Sequence, residues 1–208
     1  MIHNLAKRVA DVFVRYGESS EENADIYAYI WEAIIATIIN IGISLIVSTI
    51  LGSPLRGIAF VIAFAFMRRY CGGYHASTHM KCIISFNCIM ICAIVVVNLL
   101  VAYQLSAISF IIAVLGFAGI YILSPFEGDN KSTSMENVLV KKQKSRRYAF
   151  ILLLKTGLGN IILSWDISFS VSIAMFAVAC SLIAAQLRSV YQEKKNNQLS
   201  KLHSSNQF

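Results

Sequence analysis

Charge is scarce in this sequence. Only 14% of its 208 residues are Asp, Glu, Lys or Arg, against 57% hydrophobic, and the mean hydropathy is +0.64. A water-soluble domain of this length can bury a core but has no use for so much apolar surface. Proline is limited to Pro54 and Pro125, and the few charges come in clusters rather than spread along the chain. That is the layout of a polytopic membrane protein. Five cysteines, at 71, 82, 88, 92 and 180, form no disulfide framework, and Cys88 and Cys92 sit inside an apolar run, where a free thiol behaves as a small hydrophobe. No cleavable signal is expected, because the N-terminus opens on a charged segment and the first long apolar run starts near Ala33.

Residues 2 to 16 place Ile2, Leu5, Val9, Val12, Phe13 and Tyr16 at helical spacing opposite Lys7, Arg8, Asp11 and Arg15. This predicts an amphipathic helix on the membrane surface, or one packed against the rest of the protein. "ESSEENAD" (18–25) then reads as a polar link with cap-forming residues. Four runs suffice to cross a bilayer of about 30 Å: Ala33–Leu51, Ile83–Ala102, Leu105–Leu123 and Ile167–Leu187. Two more are shorter, Leu55–Met67 and Ala149–Leu163, the latter carrying Lys155, and Gly52-Ser53-Pro54 marks an external turn.

Counting all six gives an all-α integral membrane protein with about six transmembrane helices behind an amphipathic N-terminal helix. It is a single domain: segment 1–25, bundle 26–187 and polar tail 188–208. With six spans, 16 of the 18 Lys and Arg fall on one side, all but Arg56 and Lys155. The positive-inside rule makes that side, with both termini, cytoplasmic. Five or seven spans divide the basic clusters between the faces. The net charge of +7 is then a membrane-surface feature, and no nucleic-acid partner is implied.

One stretch does not belong between membrane spans. "RRYCGGYHASTHMKC" (68–82) gathers two Arg, two His, a Lys and two Cys around Gly72-Gly73. Zinc suits Cys71, His75, His79 and Cys82 by ligand type. Geometry argues against it: on one helix Cys71 and Cys82 stand about 16 Å apart, and a helix offers two neighbouring ligands, not four. No metal and no cofactor is expected. The second reading is a Cys–His pair, in which an imidazole activates a thiol nucleophile and later protonates the leaving amine. Either Cys71 or Cys82 serves, with either His75 or His79. A continuous helix puts His75 and Cys82 about 10 Å apart, so that pair needs a break, for which Gly72-Gly73 supplies the freedom. His79 is the better helical neighbour of Cys82. Spacing alone leaves the choice open.

The pattern Arg-x4-Gly-x-His-x6-Cys, here Arg68, Gly73, His75 and Cys82, resembles the signature of the accessory gene regulator B (AgrB) family of bacterial membrane cysteine endopeptidases. The resemblance extends to the amphipathic N-terminus, the length, the six-span hydropathy and the loop "SPFEGDNKSTSMENVLVKKQKSRRY". Ser132 stands where the family often has a proline after Asn-Lys. The resemblance implies that Cys82 is the nucleophile and His75 its base, with helix resuming near Cys82 and 71–80 broken. Arg68 and Gly73 support the site: Arg68 as a carboxylate ligand, headgroup anchor or topology signal, Gly73 as a bend. It further implies a bacterial cell-membrane enzyme, a homodimer, and a quorum-sensing propeptide substrate with an amphipathic leader and an acidic tail. Removing that tail through a thioester leads to a thiolactone or lactone ring. The basic 131–147 segment, with Lys141, Lys142 and Arg146, is the expected partner of the tail, or else an ordinary positive-inside loop. A small transporter with Arg68 and Lys155 along a polar path is the alternative, although no inverted repeat and no paired acidic residues within the spans support it.

Overall fold

Long apolar stretches without internal proline form long helices, and the structure, a computed structural model, describes residues 2–15, 24–73, 79–126, 135–158 and 165–205. These form α1 (Ile2–Arg15), α2 (Ala24–Ile50), α3 (Pro54–Cys71), α4 (His79–Ala102), α5 (Ser106–Leu123), α6 (Met135–Gly157) and α7 (Trp165–Ser205). Four segments are long and apolar enough to cross a membrane: Ile26–Ile50, Met80–Ala102, Ser106–Leu123 and Asp166–Lys195. They match the four long runs read from the sequence, with Leu51 and Leu105 falling just outside. The polar tail continues α7 as helix to Ser205, since nothing between 188 and 205 is Gly or Pro.

The two short runs behave differently. α3 has only 18 residues and carries Arg56, Arg68 and Arg69. α6 begins at Met135 and spends its first half on Lys141, Lys142, Lys144, Arg146 and Arg147. Neither is apolar enough to qualify as a span by composition. Both nevertheless stand inside the bundle: α3 packs on α2, α6 and α7, and α6 on α3, α5 and α7. α1 packs on α2, with Ala6 and Ala10 buried and Leu5, Val12, Lys7 and Arg8 exposed.

α7 is the axis of the bundle. It touches α3, α4, α5 and α6, and Phe169, Met175, Val178 and Leu182 on it join Phe60, Met67, Met90 and Ile94 in one apolar core. α5 approaches α7 through small residues: a methyl group added to Gly116 meets the Phe176 amide nitrogen at 2.8 Å. Ser109 and Ser172 hydrogen-bond across the same contact at 3.0 Å. Close helix contacts of this kind suit a lipid environment, where packing and interhelical hydrogen bonds replace the hydrophobic drive. Around the outside, Ile38, Ile46, Ile50, Ile62 and Ile122 present apolar side chains outward.

The α2–α3 turn defines one end of the bundle. Gly52 takes φ 67°, Pro54 occupies the first turn of α3, and Ser53 donates to the Asn98 Oδ1 of α4 at 2.8 Å. Arg56 donates to Asp166 Oδ2 of α7 at 2.6 Å and to Asn98 Oδ1 at 2.7 Å. Of the two basic residues expected off the positive side, Arg56 is therefore paired with a carboxylate of the bundle. The other, Lys155, stands in the last turn of α6, where the helix dipole favours a cation.

Candidate functional site

At the opposite end α3 stops because two glycines leave the right-handed region in succession. Gly72 has φ 74° and donates its N–H to the Arg68 carbonyl at 3.0 Å, and Gly73 has φ 132°. The segment after α5 holds this exit in place. The Phe126 N–H donates to the Cys71 carbonyl at 3.0 Å, and Gly72 and Phe126 pair as a short parallel bridge. A methyl group on Gly72 would run into the Phe126 carbonyl oxygen, and one on Gly73 would stand 3.0 Å from Ser181 Oγ. Of the break expected over 71–80, the helix end after Cys71 is present, but His79 and Met80 already belong to α4. α4 resumes at His79, and Cys82 falls in its first turn, half-buried. His75 lies outside the described residues, so the base implied by the family resemblance has no position here.

Cys82, Arg68, Gly73 and Lys141, all singled out from the sequence, line one cavity of about 1510 Å³. Arg69 of α3 and Arg188 of α7 line it as well. Among the described lining residues there are four cations and no carboxylate. Arg68 is close enough to Cys82 for their charges to interact: burial pushes its guanidinium below the usual arginine value, and a thiolate at Cys82 works against that. Its guanidinium also lies 5.7 Å from the centroid of the Phe64 ring.

The other cysteine of the stretch is in a different environment. Cys71 is fully buried in the core, and burial pushes its thiol up to about 11, partly offset by a hydrogen bond with Ser124. It stays protonated at neutral pH, and a thiol is a poor nucleophile.

Two of the three cations expected to bind an acidic tail do not face the cavity. Arg146 donates to the Tyr121 carbonyl at 3.0 and 3.2 Å and stacks 4.0 Å over the Tyr121 ring, which ties α6 to α5. Lys142 is not among the lining residues either, and its carbonyl accepts from Ser145. Among the described residues no group of His, Cys, Asp and Glu is placed to hold a metal.

The model of the accessory gene regulator B family matches residues 6–190, most of the chain. The chain belongs to the AgrB family. It is thereby a membrane protein of a family that processes autoinducer peptides, and the propeptides of that system are the substrates the family implies. No curated protein and no solved structure matches this chain.

Arg69, Arg188, Asn40 and Phe126 belong to this region of the AgrB chain without having been singled out from the sequence. Arg69 adjoins a signature residue and was visible as a basic neighbour. Arg188 lies more than one hundred residues from Cys82, and only the packing of α7 against α3 and α4 brings the two to one cavity.

Proposed function

We propose that this AgrB protein is a cysteine endopeptidase that removes the C-terminal tail of a propeptide through an acyl-enzyme on Cys82. The observation that carries the reading is the location of Cys82. It borders a cavity whose rim at this end is cationic and whose interior is apolar, beside Arg68, while the competing Cys71 is buried and protonated. The Cys82 thiolate attacks the scissile carbonyl, and the electron pair moves to the carbonyl oxygen. When that oxyanion collapses the C–N bond breaks, and His75 gives its proton to the departing amine. The acyl group remains as a thioester. A cysteine or serine within the peptide then gives its proton to the now neutral His75 and attacks the thioester, closing a thiolactone or lactone and releasing the Cys82 thiolate. An apolar interior that keeps water scarce favours ring closure over hydrolysis.

The rim supplies a binding site for an acidic tail. Arg69, Lys141 and Arg188 reach it from three different helices. Lys141→Glu and Arg188→Glu are expected to raise KM for an acidic-tailed substrate by about tenfold each at low salt, with less effect at high ionic strength. Lys142→Glu should leave KM within about twofold, since a surface charge off the cavity is screened. Steady-state cleavage by protein in lipid nanodiscs measures both, and equal effects of all three reversals would remove the cavity rim from tail binding.

The same reading places the Cys82 end and both termini in the cytoplasm, with the stretches Leu55–Met67 and Ala149–Leu163 as the fifth and sixth spans. Ser132→Cys and Ser204→Cys should resist an impermeant maleimide in intact cells and react in inverted vesicles. Labelling of either from outside contradicts this topology. The transporter alternative loses its main support, because Lys155 is not among the residues lining the cavity that contains Arg68.

A further inference from the structure

The cavity continues well past Cys82 into the bundle, and its character changes with depth. Along α4 the lining residues beyond Cys82 are Ser85, Phe86, Cys88, Ile89, Cys92, Ala93 and Val96. At 1.5 Å per residue Cys88 lies about 9 Å deeper than Cys82, and Cys92 about 15 Å deeper. Phe64 and Phe176 add aromatic surface from α3 and α7. All four lining cations stay at the Cys82 end.

Polar side chains also reach the cavity from α2 and α4, and the orientation of one of them, Asn40, is fixed by its neighbour Asn87. The Asn87 Nδ2 group donates to the Ile83 carbonyl at 2.9 Å and to Asn40 Oδ1 at 2.7 Å. A carbonyl can only accept, so the Asn87 amide cannot be turned round, and Asn40 must present its oxygen to it. The Ser44 hydroxyl donates to the Asn40 backbone carbonyl at 2.7 Å and lies 3.4 Å from Asn87 Oδ1. The Asn40 N–H donors are left over. Asn40 lines the cavity, and no described residue accepts from it. Its partner Asn87 is five residues past Cys82, a depth of about 7.5 Å. Asn40 is half-buried, and an amide donor facing a largely apolar cavity is better satisfied when an acceptor comes to it.

We propose that this interior is the subsite for the acyl half of the substrate, the three or four residues on the amino-terminal side of the scissile bond. Their side chains are apolar, and the Asn40 amide donates to one of their backbone carbonyls. This rests on Cys82 being the nucleophile, since Cys82 sets where the scissile bond lies. The polarity of binding then follows from charge. A peptide crossing Cys82 has one half at a rim lined by Arg68, Arg69, Lys141 and Arg188 and the other in an apolar pocket, so the acidic leaving tail takes the rim. A depth of 9 to 15 Å accommodates three to four extended residues at about 3.3 Å each. Specificity for the retained peptide resides in α2, α4 and the buried part of α7, away from the basic loop.

The native cysteines of the interior serve as reporters. The probes are two acetylated peptides, each with four apolar residues followed by three glutamates. In one, the third residue before the first glutamate is a thiopyridyl-activated cysteine; in the other, the second glutamate is. With Cys82→Ser protein in nanodiscs, the first probe should form disulfides with Cys88, Cys92 or Cys180 and the second with none of them. In the Cys82→Ser, Lys141→Cys double variant the second probe should link to the introduced thiol. With Cys82 intact, Asn40→Leu should raise KM by about tenfold, the size of one lost hydrogen bond, with kcat within about twofold. The proposal is overturned if the first probe links to Lys141→Cys in preference to the interior cysteines, if it links to none of them, or if Asn40→Leu leaves KM unchanged. Cleavage by Cys82→Ser protein would instead remove the nucleophile assignment, a failure read separately from the disulfide pattern.

Discussion

Cys82→Ser is expected to lower cleavage by about 10³-fold or more, at unchanged protein level and membrane insertion. A serine hydroxyl in this position is a far weaker nucleophile than a thiolate, and the next thiol along α4, Cys88, lies about 9 Å deeper in the cavity. His75→Ala should have a comparable effect, because the departing amine then lacks its proton donor. Cys71→Ser, Cys88→Ser and His79→Ala should retain most activity. Cys71 adds a check through pH. Its thiol is raised to about 11 by burial, so the thiolate that iodoacetamide needs is absent below that value. At pH 8 mass spectrometry should find alkylation at Cys82 and none at Cys71, with Cys71 reacting only as the pH approaches 11. Activity that survives Cys82→Ser or His75→Ala, or is lost with His79→Ala, reverses the assignment.

Gly72→Ala carries the second large effect. With φ at 74° a non-glycine residue costs roughly 1–2 kcal/mol on conformation alone, and here the added carbon also overlaps the Phe126 carbonyl. That overlap cannot be relieved while the Phe126 N–H stays bonded to Cys71, so the exit of α3 must move. Arg68 and the chain leading to His75 move with it. Cleavage should fall by at least about tenfold, beyond what the conformational cost explains. Gly52→Ala is the matched control: it has φ 67°, but an added carbon there meets nothing within 4 Å. Both variants should lose stability in thermal unfolding, Gly72→Ala the more because of its overlap with Phe126, while only Gly72→Ala loses activity. Equal activity of the two would mean that the Gly72–Phe126 contact does not position the site.

Much of this was legible in the sequence, and the exceptions have identifiable causes. The four long helices follow from continuous apolar runs that no interior proline interrupts. α3 and α6 mix charge into their turns, so composition alone could not show that they join the bundle; packing against α7 does that. Arg68, Gly73 and Cys82 could be found because they lie within fifteen residues of one another and share a local pattern. Of the three cations expected to meet the tail, only Lys141 lines the cavity, for a geometric reason. On a helix Lys142 is turned about 100° from Lys141, and Arg146 about 140°. A basic run shows how much charge is present but not which residue faces a cavity formed by other helices. Arg188 and Asn40 carry no local signal at all, and only tertiary packing brings them to the cavity that Cys82 borders.

The most direct measurement is the capture of the covalent intermediate. A propeptide whose internal cysteine or serine is replaced by alanine cannot close its ring, so the acyl group has only water to accept it and accumulates on the protein. Mass spectrometry of the digested protein should find the acyl fragment on Cys82, released by neutral hydroxylamine as a thioester is. It should be absent from Cys82→Ser and present on Cys71→Ser protein. An adduct on any other residue, a hydroxylamine-resistant one, or cleavage that proceeds without an adduct in a rapid-quench time course would contradict acyl transfer through Cys82.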